Sequence, residues 1–307
     1  MTSAPLISAT SPIVLASRAS QLALAQAHEV RDRLAPHAAE IKTFSTRGDE
    51  VLDRSLAAIG GKGLFVKTLE AAMLAGEADA AVHSSKDMET RFADGTELAA
   101  FLPREDRRDA LIGAYSSFDE LPQGAVVGTA SVRRAAIIAS IRPDVTTRLL
   151  RGNVNSRLKQ LEDGHYDAII LAMAGMKRLG ITADIHPIEE EMMLPSSAQG
   201  AIAIQAVADD GTARRAAVLT ALRALDDADT AVEVTAERAL LAELDGTCRT
   251  PIAASAHLRD GRVTMRAQLL SLDGKSSFNT SGDSLADEAA AMAIELAQDL
   301  LRQAGGK

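Results

Sequence analysis

The sequence predicts an α/β protein of two lobes, each with a mixed, mostly parallel sheet, followed by a small α+β C-terminal domain. Its 307 residues are too many for one typical domain. Short apolar runs alternate with amphipathic stretches through the first two thirds of the chain, as expected of a doubly wound sheet. From about Leu225 this alternation gives way to a long helix and a hairpin pattern. The hydrophobic fraction of 47% is that of a folded protein.

The first lobe is predicted over residues 1–103, with a returning segment at 200–222 that makes it discontinuous. Its apolar runs and helical periodicity predict strands at Ile13–Ala16, Ile41–Ser45 and Asp79–His83, and helices at Ser20–Leu34 and Leu64–Ala75.

The second lobe is predicted over residues 104–199. It begins with the charged segment Arg104–Asp109, which indicates a hinge or linker. The same βα pattern then predicts strands at Ala125–Gly128, Thr146–Leu150 and Asp167–Leu171, and helices at Ser131–Ile141 and Val154–Glu162.

The C-terminal domain is predicted over residues 223–307. We expect a helix at Thr230–Leu244, followed by a turn at Asp245–Pro251 that holds the single cysteine. Two hairpin strands are expected at Ile252–Leu258 and Arg262–Ser271, and a closing helix at Ser284–Gln303.

Composition narrows the class of protein. No apolar run approaches the roughly 18 residues of a membrane helix, and the first residues do not resemble a secretory signal. One cysteine excludes an internal disulfide framework and fits a reducing compartment. The net charge of −9 argues against general nucleic-acid binding. We therefore expect a cytoplasmic protein with no membrane, nucleic-acid or metal partner.

A local basic region stands out against this acidic background. Seven arginines and lysines lie between Arg133 and Lys159, with Asp144 as the one acidic residue. Gly128–Arg134 runs from a strand into a helix, where backbone N–H groups, hydroxyls and arginines can hold a carboxylate. Arg151-Gly152-Asn153 repeats this arrangement after the next strand. The pattern favours a small anionic ligand, and a solvated helix face is the alternative.

Three further motifs leave alternatives open. Asp87, in His83–Asp87 after a predicted strand, is either a general acid/base or part of a surface ion pair. Gly60–Gly63 lacks the Lys-Ser/Thr pair of a Walker phosphate loop, so a flexible loop is favoured. Cys248 is either a small core residue or an exposed thiol, and Arg249 beside it would favour the thiolate.

Taken together, the motifs resemble the hydroxymethylbilane synthase (porphobilinogen deaminase) family over nearly the whole chain. The matching segments are Ala16–Ala23, Thr46–Asp49, Gly60–Phe65, His83–Asp87, Gly128–Arg134, Leu150–Val154, Asp167–Arg178, Gln199-Gly200 and the turn around Cys248. The resemblance implies two periplasmic-binding-protein-like (type II) lobes and a generally monomeric enzyme. It also implies a dipyrromethane cofactor, attached through a thioether to Cys248, on which four porphobilinogen molecules are joined with loss of ammonia.

Matching positions then imply the roles of individual residues. The expected catalytic residues are Asp87, Lys86 and Arg18. The expected cofactor-binding residues are Cys248, Lys86, Asp87, Thr129, Ser131, Arg133, Arg134 and Gly152. The expected substrate-binding residues are Arg18, Ser20, Lys62, Phe65, Arg151, Arg157, Arg178 and Gln199.

The sequence departs from the family pattern at a few positions, namely Thr247 for a glycine, Ser85, Met88-Glu89, and Ser196–Ala198 in place of a more apolar, glycine-bearing run. Two other functions compete with the family assignment. A two-lobed anion-binding protein without catalysis leaves Cys248 and the third domain unexplained. A phosphoryl-transfer enzyme lacks its Walker residues.

Overall fold

A computed structural model describes residues 6–45, 66–182, 184–245 and 250–305. The strands and helices within these ranges are β1 (Ile13–Arg18), α1 (Gln21–Arg33), β2 (Ala39–Phe44), α2 (Lys67–Leu74), β3 (Ala80–Ser84), β4 (Thr96–Phe101), β5 (Asp109–Ile112), β6 (Val126–Thr129), α3 (Val132–Ile141), β7 (Thr146–Leu149), α4 (Val154–Glu162), β8 (Ala168–Ala172), α5 (Met173–Arg178), β9 (Ile185–Ile188), β10 (Ile202–Val207), α6 (Ala213–Arg223), α7 (Ala228–Glu243), β11 (Ile252–Arg259), β12 (Arg262–Leu270), β13 (Ser277–Leu285) and α8 (Ala289–Gln303).

The contacts divide the chain into two compact units. Among the described residues, unit 1 comprises 6–45, 66–104 and 201–231, and unit 2 comprises 105–182, 184–200, 232–245 and 250–305. Unit 2 therefore contains both a second α/β sheet and the C-terminal sheet. The three-domain division expected from the sequence stays a prediction.

Unit 1 is built on a five-stranded sheet in the order β2-β1-β3-β10-β4. β1 runs parallel to β2 and β3, while β10 runs antiparallel to β3 and β4. Ile202, Ile204 and Ala206 of β10 are fully buried. They pack with α1 and α6 in one apolar cluster. A strand from residues 202–207 thus completes a sheet that begins near residue 13.

The α/β sheet of unit 2 has the same pattern, in the order β7-β6-β8-β5-β9. β6 is parallel to β7 and β8, and β5 is antiparallel to β8 and β9. In each sheet, four strands consequently run one way and one runs the other way. The predicted fold class, two mixed and mostly parallel sheets with a smaller α+β part, is confirmed.

The C-terminal part of unit 2 is an antiparallel sheet in the order β11-β12-β13, packed against α8. It shares its packing with the α/β part of the unit. Leu270 at the end of β12 belongs to the same buried cluster as Ile138 of α3. The Ala254 N–H donates to the Pro195 carbonyl at 3.0 Å. The two parts of unit 2 are joined by a common core.

Most predicted elements are present with small shifts at their ends, but two interpretations were wrong. Arg104–Asp109 is not wholly a linker, because Asp109 begins the buried strand β5. The closing helix begins at Ala289 rather than Ser284, because β13 continues to Leu285 and pairs with β12. The strands β4, β5, β9, β10 and β13 were not predicted.

Within the described ranges no helix is long and apolar enough to cross a membrane.

Candidate functional site

Unit 1 forms a pocket where β1 and β3 end. The two strands are parallel, so Arg18 and Ser84 lie at the same edge of the sheet, where such folds place ligands. Arg18, Ser20, His83 and Asp87 line this pocket together with apolar side chains of α1. Ser20 caps α1 by accepting the Ala23 N–H at 3.3 Å.

Lys86 and Asp87 lie in a single 3-10 turn, Ser85–Asp87, directly after β3. Both side chains are exposed, whereas Ser85 is buried. The Ser85 N–H donates to the Ala201 carbonyl at 3.0 Å. The turn is therefore anchored through the backbone of Ser85, and it exposes the ammonium group of Lys86 and the carboxylate of Asp87.

His83 is the buried ionisable group of this pocket. Burial lowers its pKa to about 4, and the positive charge of Arg18 acts in the same direction. Its Nε2 atom has no hydrogen-bond partner in the described part of the chain. Near neutral pH the imidazole is consequently uncharged, and it adds no charge beside Asp87.

In unit 2, the turn between β6 and α3 carries the first predicted anion-binding motif. Thr129 accepts the Ser131 N–H at 3.1 Å, and Ser131 in turn caps α3 by accepting the Arg134 N–H at 3.4 Å. These hydroxyls fix the first turn of α3, whose backbone N–H groups carry a partial positive charge.

Arg133 and Arg134 extend from this turn into the interior and are only 3% and 6% exposed. Both guanidinium groups contact the carboxylate of Asp109, each with one N–O distance of 2.6 Å. Burial alone would raise the pKa of Asp109, but the charges of Arg133 and Arg134 outweigh it and hold the pKa well below its usual range. Asp109 is therefore an anion at all ordinary pH values.

The second anion-binding motif lies at the start of α4. Gly152 has a φ of +107°, and a Cβ atom there would lie 2.1 Å from the Ser156 hydroxyl. Only glycine allows this close approach. Asn153 caps α4 by accepting the Ser156 N–H at 2.9 Å, and Arg157 Nε donates to the Gly152 carbonyl at 2.8 Å. Arg151 and Arg157 are half-buried.

The remaining predicted residues of unit 2 lie around Gly200. Arg178 Nη2 donates to the Gly200 carbonyl at 3.0 Å. Gln199 is buried, and its Nε2 donates to the Asp109 carboxylate at 2.7 Å. Gln199 thus belongs to the cluster of Asp109 and the two arginines.

The predicted site residues that the structure describes are therefore divided between unit 1 and unit 2. Arg18, Ser20, Lys86 and Asp87 are brought together in unit 1. The group in unit 2 consists of Thr129, Ser131, Arg133, Arg134, Arg151, Gly152, Arg157, Arg178 and Gln199. The predicted loop Gly60–Gly63, with Lys62, and also Phe65 and Cys248 lie outside the described residues. Among the described residues there is no cluster of metal-ligating side chains.

Asp109 is the site residue that the sequence analysis missed. It was assigned to a charged linker, since every residue of Arg104–Asp109 is acidic or basic and the local pattern does not distinguish one from another. The partners that bury it are 24 and 25 residues further along the chain. The one local signal is the apolar run Ala110–Ile112 that follows it and predicts a short strand.

Two family models match this chain. One, described as porphobilinogen deaminase, dipyromethane cofactor binding domain, matches residues 13–215, and the porphobilinogen deaminase C-terminal domain matches residues 231–302. The chain belongs to the porphobilinogen deaminase family. A porphobilinogen deaminase of Nitrobacter hamburgensis is 45% identical over 301 residues, covering 95% of this chain and 94% of that protein. One of Paracoccus denitrificans is 48% identical over 297 residues, covering 94% and 93%.

Solved structures resemble the chain more remotely. The second substrate binding domain of a putative amino acid ABC transporter from Streptococcus pneumoniae is 14% identical, with a TM-score of 0.40. The alignment covers 70% of this chain and 93% of that domain. A structural similarity this low does not indicate a function.

The residues of unit 2 fit the group that gives the porphobilinogen deaminase cofactor domain its name. A dipyrromethane with acetate and propionate side chains presents carboxylates, which need N–H and O–H donors. Arg133 Nε is a buried donor for which the described residues supply no acceptor. The start of α3 offers backbone donors beside it. This donor set suits an organic polyanion.

Proposed function

We propose that this protein is a hydroxymethylbilane synthase, a transferase that joins four porphobilinogen molecules head to tail with loss of ammonia. Hydrolysis would release the linear tetrapyrrole 1-hydroxymethylbilane for haem and other tetrapyrrole biosynthesis. The observation that carries the proposal is the pocket lined by Arg18 and Asp87 in a chain of the porphobilinogen deaminase family.

The dipyrromethane cofactor would be attached through a thioether to Cys248, which is the only cysteine of the chain. When bound, it supplies the pyrrole carbon from which the product chain grows. Its carboxylates would be held by Arg133, Arg134 and the hydroxyls of Thr129 and Ser131. Lys86, Asp87 and Gly152 complete the proposed set. Each charge-assisted hydrogen bond contributes on the order of 1.5–3 kcal/mol.

Asp87 is the proposed general acid/base. Its exposed carboxylate can move a proton to and from the substrate and stabilise the positive charge that develops as ammonia leaves. Lys86 lies beside it in the same turn, and Arg18 in the same pocket binds a substrate carboxylate. The uncharged His83 leaves this balance of charges undisturbed.

The proposed substrate-binding residues are Arg18, Ser20, Lys62, Phe65, Arg151, Arg157, Arg178 and Gln199. We further propose that the protein works as a monomer in the cytoplasm, with porphobilinogen as its partner and no metal. The single cysteine and the net charge of −9 support a reducing compartment and a small-molecule partner. The proposed domains are residues 1–103 with 200–222, 104–199, and 223–307.

The first test is the intact mass of the denatured protein after incubation with porphobilinogen. We expect an added mass of two pyrrole units, absent from Cys248→Ser. Asp87→Ala should keep the fold but lose nearly all release of product. A wild-type chain that never gains mass would favour the rival function, a two-lobed anion-binding protein without catalysis.

A further inference from the structure

Asp109 is the centre of a buried polar cluster in unit 2. Its side chain is completely buried and accepts hydrogen bonds from three side chains. Arg133 Nη2 donates to Oδ2 at 2.6 Å, and Arg134 donates to Oδ1 through Nη2 at 2.6 Å and Nε at 3.1 Å. Gln199 Nε2 donates to Oδ1 at 2.7 Å. One carboxylate thus holds two guanidinium groups and an amide.

Each arginine of the cluster is also held by a backbone carbonyl. Arg133 Nη1 donates to the carbonyl of Leu194 at 2.6 Å, and Arg134 Nη1 donates to that of Ile170 at 2.9 Å. Because a guanidinium group is planar, contacts to two different acceptors fix both its position and its plane. These contacts also set the direction of the Nε–H of Arg133, for which the described residues supply no acceptor.

Gln199 is itself fixed by contacts on either side. Its Nε2 also donates to the Arg107 carbonyl at 2.8 Å. The preceding residue, Ala198, has a φ of +61°, a left-handed conformation that is unfavourable for alanine. The Ala198 N–H donates to Glu237 Oε2 of α7 at 2.5 Å, and Glu237 is completely buried. The cluster therefore connects β5, α3 and the segment before Gly200 with α7.

We propose that Asp109, supported by Gln199, is the positioning residue of Arg133 and Arg134. Without its carboxylate, two buried positive charges would repel each other and turn away from their present places. This inference rests on the proposed function, because the ligand for which the arginines are positioned is the carboxylate-bearing dipyrromethane. Asp109 acts through the arginines and needs no contact with the ligand.

The test measures how fast apoprotein gains the two-pyrrole mass in porphobilinogen, for the folded fraction of each variant. Asp109→Glu keeps the charge but shifts the carboxylate by one methylene, and Gln199→Leu removes the amide that donates to Asp109 and to the Arg107 carbonyl, with no change of charge. Both should load at least about tenfold more slowly, the loss expected for a misplaced charged hydrogen bond.

Two control variants distinguish the loss of arginine positioning from a general loss of stability and from a change of charge. Ile138→Ala removes a fully buried side chain of α3 that has no part in the cluster, and so destabilises the same lobe. Asp144→Asn breaks the ion pair with Arg142, 2.6 Å long, just beyond the end of α3. Both controls should load at the wild-type rate once folded.

The outcomes distinguish this inference from the proposed function. Wild-type loading rates in folded Asp109→Glu and Gln199→Leu would overturn the inference alone, as would equal slowing in Ile138→Ala. If Asp109→Glu does not fold, Gln199→Leu decides by the same criterion. A wild-type chain that gains no mass would overturn the proposed function, and the inference with it.

Discussion

His83 shows how much one buried side chain can contribute to the pH dependence of stability. The unfolded chain takes up a proton on this residue near pH 6.5, but the folded protein does so only near pH 4, because burial lowers the pKa. Between these values the unfolded state binds more protons, so the free energy of unfolding falls as the pH is lowered. The contribution of the buried, uncharged His83 to the free energy of unfolding is fully present above pH 6.5 and is lost as the pH falls towards 4.

We expect His83 alone to account for a loss of about 3 kcal/mol in unfolding free energy between pH 7 and pH 4. His83→Gln should remove this part of the pH dependence, whereas His37→Gln, at an exposed position, should keep the wild-type profile. Denaturant unfolding at a series of pH values measures both. Parallel profiles for wild type and His83→Gln would contradict the assignment.

At the scale of elements, the turn between β12 and β13 sets the place of α3. Gly274 in this turn has a φ of +69°, and a Cβ atom there would lie 2.4 Å from the carbonyl oxygen of Ala136 in α3. The backbone of the turn and that of the helix are therefore in direct contact. Since Arg133 and Arg134 are in the first turn of α3, this contact also supports the arginine cluster.

Gly274→Ala should consequently lower the unfolding free energy of unit 2 by more than the strain of placing alanine in a left-handed conformation. Gly261 is a matched control, because its φ is +76° and a Cβ atom added there would have no atom within 4 Å. We expect about 1–2 kcal/mol for Gly261→Ala and a further 1–3 kcal/mol for Gly274→Ala, from the steric overlap. Equal losses in thermal or denaturant unfolding would show that the turn can move away from α3.

At the scale of the whole molecule, the C-terminal sheet and the second α/β sheet belong to one unit. Leu270 of β12 is 4% exposed and lies in the core that surrounds α3. Arg107 Nη2 contacts Glu233 of α7 at 2.6 Å, adding a polar link between the two parts. Such shared packing makes the stability of one part depend on the other.

Leu270→Ala should therefore lower hydrogen-exchange protection in both α3 and α8. The expected loss is about 2–5 kcal/mol, typical of a buried leucine truncated to alanine. Val218→Ala, at a fully buried position of α6, is the control and should lower protection within unit 1. Unchanged protection of α8 in Leu270→Ala would mean that the C-terminal sheet unfolds independently.

Local patterns sufficed for α1, α3 and α4, because a capping residue and apolar spacing mark each helix within a few residues of sequence. The motifs at the strand ends likewise indicated the family, and the structure places two of their residues, Arg18 and Asp87, in one pocket. The strands β5 and β10 were not predicted, although the apolar runs Ala110–Ile112 and Ile202–Ile204 mark them locally. Local patterns do not give their place in a sheet, because their partners are distant in sequence, and β10 pairs with β3 across more than 110 residues.

The backbone conformation of Ala198 and the burial of Asp109 could not be predicted from the sequence. The departure at Ser196–Ala198 was visible in the sequence, but its meaning came from the backbone, where Ala198 occupies a left-handed conformation held by Glu237. In the sequence, Asp109 is one charge among many. The sequence by itself determined the family, the α/β class and the donor-rich strand ends, since these are properties of neighbouring residues. Only the tertiary structure decided which charges are buried together, because burial and ion pairing depend on residues that the fold brings from far along the chain.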